Sequence, residues 1–378
     1  MESKIKTFLI IIAISLIPTF LIWLPFYLRM TSFWGIPLPG NGMTTIVSNY
    51  DGPLYMVVAK TLYNKVLIGP AFQFPLPNEY YAAHFPLFPL LIKAFGVIVS
   101  YPHAMLIVTI LSSILATFFF HKLISQYVVR KDAIFLTLVF AILPARWLIV
   151  RSVGSADPLF VAGILASVYF FKNKRFWLSA LWGAVATITK SPGILLIAAY
   201  GLFYIIESIK NKKIDFNLKK AYPLFLIPIS MLLVFVFYKF TLGNFFAYFH
   251  SGDNIHLSLI PFQIFNYSAP WVGTFWLEEI IFVYIIGALG VYKLFQKKEY
   301  ELAAFTGLFY TVILFVAHRD LIRYALPIVP FLLVAFSDTL IKKEFKIALA
   351  IAAIPIYLYS LAFISQNVMP ISNWAPFL

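Results

Sequence analysis

Asp51 lies in a short polar stretch, residues 48–55, that follows the first hydrophobic segment of an apolar chain. Its carboxylate has two interpretations. It is a turn residue or helix N-cap, since Asp-Gly-Pro favours a turn and an Asp before a helix accepts backbone amide hydrogens. Alternatively, it is a general base that takes the proton of a hydroxyl group. The surroundings of Asp51 have to decide between these roles.

Other ionisable residues lie next to apolar segments on the same predicted side of a membrane as Asp51. Ionisable groups in or beside hydrocarbon are costly, so they pair with each other, line a cavity or bind a ligand. The candidates for substrate binding are Glu79, His84, Arg151, Asp157, Lys190, Arg319 and Arg323.

Four of these candidates are cations that suit an anionic ligand. Arg319 and Arg323 are four residues apart and would share a helix face that could fork onto a phosphate. Alternatively, they pair with Asp320 or anchor a span among lipid headgroups. Lys190 binds a phosphate or extends its amine to the interface. Arg151 is predicted to form an ion pair with Asp157, the alternative being that the two shape an acceptor site.

Two histidine-containing groups complete the set. Glu79 and His84 flank two tyrosines and would bind sugar hydroxyls or form a polar rim. His250, Asp253 and His256 are spaced by three residues, as in some metal sites, but no second carboxylate is close in sequence. No metal ligand and no cofactor is therefore assigned, and a divalent metal stays an open alternative at these three residues.

The composition defines the environment of these residues. The 378-residue chain is 62% hydrophobic and 12% charged, which predicts an all-α polytopic membrane protein in contact with the lipid bilayer. Cysteine is absent, which excludes disulfides and thiol catalysis. The net charge of +14 comes from lysine clusters between apolar segments, as in cytoplasmic loops, so no nucleic-acid partner is predicted.

The apolar runs predict about eleven transmembrane helices in a single domain. The first run, residues 7–28, is interpreted as a signal anchor that stays in the protein. A long first outer loop, residues 29–103, follows and carries juxtamembrane helices, among them an interfacial helix over residues 53–66. The remaining spans, all within 104–378, are predicted at residues 104–121, 132–149, 158–171, 176–190, 193–208, 222–242, 272–292, 302–317, 324–341 and 346–364.

The orientation depends on the apolar run at residues 84–100. Counted as a span, this run would place the later basic clusters outside. Counted as a non-spanning helix broken by Pro86 and Pro89, it places them inside, together with the N-terminus. We adopt the second interpretation, which puts the candidate residues on the outer face of a cell membrane. The inside loops then contain Lys122, Arg130 and Lys131; Lys172, Lys174 and Arg175; Lys210, Lys212, Lys213, Lys219 and Lys220; Lys293, Lys297 and Lys298; and Lys342, Lys343 and Lys346.

Several short motifs occur in an order typical of one enzyme superfamily. They are Tyr50-Asp51-Gly52, Glu79 ahead of residues 85–91 (FPLFPLL), residues 155–160 (SADPLF) and residues 189–193 (TKSPG). In this order, over the first 200 or so residues, the chain resembles the GT-C glycosyltransferases, and most of all the glycosylphosphatidylinositol mannosyltransferase II (PIG-V-like) branch with its prokaryotic relatives. That branch usually has Trp-Asp, Ser-Glu and Thr-Arg where this chain has Tyr50-Asp51, Ala156-Asp157 and Thr189-Lys190.

The resemblance implies a GT-C fold and an inverting hexosyl- or mannosyltransferase that works at the outer face. Its donor would be a polyprenyl-phosphate-linked sugar such as dolichyl phosphate mannose, its acceptor a glycan, glycolipid or protein, and Asp51 its general base. Two alternatives use similar residues. They are a transporter or flippase of lipid-linked sugars, which would carry charge nearer the membrane midplane, and a polysaccharide polymerase, whose site would lie in residues 243–271.

Overall fold

A computed structural model describes residues 2–72, 74, 76–213, 221–252 and 256–378, and almost all of its regular structure is helical. The α-helices are α1 Glu2–Tyr27, α2 Thr44–Val47, α3 Gly52–Thr61, α4 Lys65–Ala71, α5 Leu87–Phe95, α6 Tyr101–Ile124, α7 Arg130–Ile142, α8 Ala145–Val150, α9 Asp157–Lys172, α10 Phe176–Thr189, α11 Leu195–Asn211, α12 Leu226–Thr241, α13 Glu279–Gln296, α14 Tyr300–Ile313, α15 Leu321–Ala325, α16 Val329–Ala335, α17 Ser337–Leu340 and α18 Lys343–Gln366.

Short 3₁₀ turns and one hairpin complete the regular structure of the described residues. The 3₁₀ turns are Asn78–Ala83, Ser191–Ile194, Tyr222–Phe225, Ala247–His250, Gln263–Phe265, Phe275–Glu278, Leu326–Ile328 and Ala375–Phe377. The strands β1 (Ser32–Phe33) and β2 (Ile36–Pro37) pair antiparallel. Trp34 and Gly35 between them both have positive φ, the geometry that a two-residue hairpin turn needs.

Six helical segments among the described residues are long and apolar enough to cross a membrane, so the prediction of a helical integral membrane protein is confirmed. They are Ile5–Tyr27, Tyr101–Ile124, Ser191–Asn211, Tyr222–Thr241, Glu279–Gln296 and Lys343–Gln366. The number eleven stays a prediction. Two of the predicted spans are interrupted. Residues 132–149 form α7 and α8, and residues 324–341 form the end of α15, a 3₁₀ turn, α16 and α17.

The first loop differs from its prediction at residues 53–66. Instead of one interfacial helix, α3 ends where Leu62 adopts positive φ, and α4 follows. Nine of the ten residues of α3 are buried, so it is a core helix of the loop. The nearly continuous apolar sequence GPLYMVVA reflects burial on every side, because an interfacial helix keeps one polar face.

Helix α5, Leu87–Phe95, begins within the FPLFPLL segment and has nine residues. At 1.5 Å per residue it is about 14 Å long, roughly half the hydrocarbon thickness of a bilayer. It packs against α3 and α6. Its length agrees with the interpretation of residues 84–100 as a non-spanning segment.

Helices α9 and α10 form the tightly packed centre of the bundle, and α6 packs against α9. A Cβ atom at Gly163 of α9 would lie 2.9 Å from the backbone nitrogen of Ala186 in α10. Only glycine permits this approach, because real Cβ atoms do not come so close to a backbone atom. The N-terminus of α9 and the C-terminus of α10 are thereby held together, and these ends carry Asp157 and Lys190.

The two ends of the bundle differ in charge. At one end, Arg130 of α7 donates to the Thr7 hydroxyl of α1 (2.7 Å), and Lys172 pairs with Glu299 (2.6 Å). Basic residues from several of the predicted inside clusters lie at this end, whereas Lys219 and Lys220 lie outside the described residues. The opposite end carries the loop with Asp51 and the N-terminus of α9. Helix α9 carries Asp157 in its first turn and Lys172 in its last, so these two charged groups lie at opposite ends of the helix.

Candidate functional site

Asp51 occupies the N-cap position of α3, with Pro53 in the first turn of that helix. Its backbone carbonyl accepts from the amide of Tyr55 (3.0 Å), but its carboxylate makes no capping hydrogen bond. Instead, Oδ2 lies 3.3 Å from Nη2 of Arg323, and the side chain is 37% exposed. The N-cap interpretation therefore holds for the backbone only, since the carboxylate is directed towards a cation and the surface.

Arg323 connects Asp51 to a second carboxylate. Its Nε lies 2.8 Å from Oδ2 of Asp157, whose side chain is only 5% exposed. Lys190 binds the other carboxylate oxygen of Asp157, and the Ser155 hydroxyl donates to Oδ2 at 2.8 Å. The helix ends of α9 and α10, together with α15, thus bring two cations to one side of Asp51.

The charges around Asp51 determine its protonation. Burial raises the pKa of its carboxyl, but the nearby cations, above all the guanidinium of Arg323, lower it by more, so the net shift is downward. Asp51 is therefore a carboxylate at neutral pH.

A second ion pair lies beside the first. Nε of Arg146 is 2.9 Å from Oδ1 of Asp320, and both side chains are nearly buried. The Tyr50 hydroxyl accepts from Nη1 of Arg146 (2.9 Å) and donates to Oδ2 of Asp320 (3.2 Å). The guanidinium of Arg323 lies over the Tyr50 ring, 4.4 Å from its centroid. Tyr50 therefore joins the two ion-pair groups. With its positive φ of 49° it lies beside Asp51 in the turn that the bond from the Gly52 amide to the Asn49 carbonyl closes (3.1 Å).

Sequence reasoning missed Arg146 because it fell within the predicted span 132–149. The structure ends α7 at Ile142 and starts α8 at Ala145, so Arg146 lies in the first turn of a short helix. A signal was present in the sequence: an arginine in an apolar run is costly, and Pro144 breaks the run just before it.

His84 belongs to the site. Its side chain is buried, with the ring 4.9 Å from that of Tyr55, and no described residue makes a hydrogen bond with its Nδ1. Burial lowers its pKa more than the charge of Asp51 raises it, so the imidazole is neutral at pH 7. A neutral imidazole with a free ring nitrogen next to Asp51 can donate to or accept from a substrate hydroxyl.

Glu79 lies elsewhere. It forms a half-exposed salt bridge with Lys65 (3.1 Å), and this hydrogen bond lowers the pKa of its carboxyl. The described ion pairs do not connect it to the Asp51 group. Its position fits the polar-rim interpretation.

The expected ion pair of Arg151 with Asp157 is wrong. Arg151 is fully buried and donates to the carbonyl oxygens of Ala141 (2.8 Å) and Ser15 (2.6 Å) and to the Ser15 hydroxyl (2.7 Å). Arg151 therefore caps the C-terminal end of α7 and ties it to α1, while Asp157 takes its cations from α15 and the end of α10.

The prediction that Arg319 and Arg323 share a helix face is also wrong. Helix α15 begins at Leu321, so Arg319 precedes it and is exposed, whereas Arg323 faces the carboxylates. Asp320, the alternative partner considered for both arginines, pairs with Arg146.

The metal hypothesis at residues 250–256 gains no support. Asp253 lies outside the described residues. His250 bonds to Asn244 (2.8 Å), while the ring of His256 lies 4.3 Å from that of His318. Within the described ranges, no group of three His, Cys, Asp or Glu side chains could hold a metal ion.

The site combines a partly exposed carboxylate with paired cations. Asp51, Asp157 and Asp320 are balanced by Arg146, Lys190 and Arg323. An incoming phosphate would compete with the carboxylates for Arg323 and Lys190, because guanidinium and ammonium groups bind both kinds of anion. The arrangement suits proton abstraction beside a bound phosphate.

Comparison with known proteins shows similarity of fold. The crystal structure of ArnT from Cupriavidus metallidurans bound to undecaprenyl phosphate superposes with a TM-score of 0.56 at 12% identity, covering 83% of this chain. The chain spans 62% of the length of that structure. No protein-family model and no curated protein sequence matches. The likeness is one of fold alone, and nothing in it bears on the PIG-V-like branch.

Proposed function

We propose that this chain is a membrane glycosyltransferase in which Asp51 is the general base. The main support is the position of its carboxylate, which is partly exposed and ionised. It lies 3.3 Å from Arg323, which also binds Asp157. The fold likeness to ArnT, whose crystal contains undecaprenyl phosphate, supports a polyprenyl-phosphate-linked donor. The acceptor is a glycan, glycolipid or protein hydroxyl, and the sugar is a hexose such as mannose.

The reaction is a single displacement at the anomeric carbon. Asp51 takes the proton of the acceptor hydroxyl as the oxygen forms a bond to the anomeric carbon. The bond from that carbon to the phosphate oxygen breaks, and the polyprenyl phosphate leaves with the electron pair. Attack opposite the leaving group inverts the anomeric configuration, and the proton remains on Asp51 until it passes to solvent.

The cations serve the phosphate in this scheme. Arg323 and Lys190 already bind anionic oxygens, and they would stabilise the charge that develops on the leaving phosphate. A phosphate on Arg323 would also share the cation that lowers the pKa of Asp51. The base would therefore become stronger when the donor is bound.

The distribution of charge supports an outer-face site. Lysines and arginines at the opposite end of the bundle favour the cytoplasm. We accordingly place the N-terminus inside and Asp51 at the outer face of the cell membrane, where a lipid-borne sugar can reach it.

The decisive experiment is Asp51→Asn in purified protein, tested with a panel of polyprenyl-phosphate sugars and scored by release of polyprenyl phosphate. We expect a loss of at least about 100-fold with unchanged detergent melting, because amide nitrogen cannot accept the proton. Asp338→Asn is the matched control, since Asp338 is 70% exposed and pairs with Lys297.

Transfer by Asp51→Asn near the unmodified rate would refute the general-base assignment. Protein-dependent movement of lipid-linked sugars across vesicles without any transfer would instead favour the transporter.

A further inference from the structure

Residues 367–378 form a strap that returns from the end of α18 across the segment before Asp51. Val368 pairs with Asn49 in an antiparallel bridge, the amide of Met369 donates to the Ser48 carbonyl (2.8 Å), and the Asn49 side chain donates to the carbonyl of Ile364 (2.7 Å). Phe377 is buried against Phe72. The strap is therefore a fixed wall of the region around Asp51.

A cavity of about 510 Å³ lies between this strap and residues 41–48. Asn41, Thr44 and Ser372 bring polar side chains to it, and Trp374 and Met369 supply apolar surface. Ser48 also lines it, but this residue is buried and its hydroxyl donates to the Thr44 carbonyl (2.6 Å). None of the described residues lining it is charged. The donor phosphate has its cations at Arg323 and Lys190, so this cavity suits a different, uncharged ligand.

The lining is of the kind that recognises sugars. Hydroxyl and amide groups donate and accept hydrogen bonds without charge, and the Trp374 ring offers a flat apolar face. The volume is within the range of small-molecule sites. A neutral sugar ring, apolar on its faces and polar at its edge, matches both kinds of surface.

The cavity is also close enough to the base. Ser48 is three residues before Asp51, and three residues of extended chain span at most about 11 Å. Asp51 does not line the cavity itself. A sugar that extends from the cavity along residues 48–51 would bring a hydroxyl to the carboxylate of Asp51.

We propose that this cavity is the acceptor subsite and that it binds an uncharged sugar unit. The proposal rests on the proposed glycosyltransferase function and names the chemical class of its acceptor. The strap would help to hold the acceptor, which supplies the hydroxyl group. Arg323 and Lys190 would hold the phosphate of the donor.

The binding test uses the absence of cysteine. Ser372→Cys protein in nanodiscs is labelled with an uncharged maleimide in the presence of octyl glycosides of glucose, mannose, galactose and N-acetylglucosamine. At least one glycoside should slow labelling at residue 372 at least twofold and leave Ser268→Cys, an exposed site outside the cavity, unchanged. Equal rates with every glycoside would overturn the subsite.

The kinetic test uses Trp374→Ala, with Trp34→Ala as control because Trp34 is 73% exposed in the hairpin. We expect the KM for the acceptor to rise roughly tenfold when the ring is lost, with the KM for the donor unchanged. An unchanged acceptor KM in a stably folded Trp374→Ala protein would contradict the proposal.

Trp374→Phe covers the case in which the alanine variant folds poorly. It keeps an aromatic face, so its KM for the acceptor should be close to that of the unmodified protein. A KM raised as much as in Trp374→Ala would also count against the subsite.

The two proposals fail separately. Cysteine protection together with full activity of Asp51→Asn would refute the general base and keep the sugar site. Loss of transfer in Asp51→Asn, without glycoside protection at residue 372, would keep the general base and refute the sugar site.

Discussion

Arg323 and Asp51 are 272 residues apart in the chain and lie 3.3 Å from each other in the structure. The same guanidinium reaches Asp157 through its Nε at 2.8 Å. One side chain from the second half of the bundle thus lowers the pKa of the proposed base and holds a carboxylate of the first half.

Substitution of Arg323 should separate its role from that of Arg319. Arg323→Gln is expected to lower transfer by about 100-fold, since it removes the cation that would face the leaving phosphate. Arg323→Lys keeps the charge but loses the paired N–H donors of the guanidinium. Its activity should therefore lie between those of the unmodified protein and Arg323→Gln. Transfer rates and donor affinity in purified protein measure both effects.

Arg319→Gln is the matched control, because this side chain is exposed and lies before α15. It should change transfer by less than about twofold. If Arg319→Gln impaired donor binding as strongly as Arg323→Gln, the assignment of the phosphate to Arg323 would be wrong.

The Arg146 and Asp320 pair should behave as a coupled unit. Arg146→Met leaves the Asp320 carboxylate, 12% exposed, without its cation, and breaking such a pair costs roughly 3–5 kcal/mol. Arg146→Met combined with Asp320→Asn removes both charges and should cost less than Arg146→Met alone. Detergent melting temperatures of the single and double variants test the coupling, and additive losses would contradict it.

The rate of transfer should change little as the pH falls from 7 to about 5. The pKa of Asp51 lies below its ordinary value of 3.8, so the carboxylate persists as the pH falls from 7 to about 5. Activity is lost only when the pH approaches the folded-state pKa. Initial rates at donor concentrations well below the KM measure this profile, because they report the protein before the donor phosphate shares Arg323. Samples returned to pH 7 detect irreversible inactivation.

An acid limb with its midpoint above pH 5 would contradict this account. In Arg323→Gln, the residual activity should be lost at a higher pH than in the unmodified protein, because the cation that lowers the pKa of Asp51 is gone.

The orientation of the bundle can be tested by cysteine labelling, since the natural chain has no cysteine. Ser268→Cys is exposed in the segment that follows His256, whose carbonyl accepts from Ala317 near the site (2.8 Å). It should react with a membrane-impermeant maleimide on intact cells, and Lys212→Cys should react only after lysis. The reverse pattern would place the site in the cytoplasm.

The sequence by itself determined the environment and the position of the proposed base. Its apolar composition predicted helices in lipid, and the polar stretch before Pro53 indicated Asp51. It also indicated that Asp157, Lys190 and Arg323 lie on the same side as Asp51. These inferences needed only hydrophobicity, loop charge and local turn chemistry, which are properties of neighbouring residues.

The tertiary structure decided which cation meets which carboxylate. A break before Ala145 brought Arg146 to Asp320, the late start of α15 separated Arg319 from Arg323, and Arg151 was directed to backbone carbonyls instead of Asp157. Each helix residue turns the side-chain direction by about 100°. A helix boundary that shifts by one or two residues therefore changes the partner of every side chain beyond it, and packing of distant helices fixes that boundary.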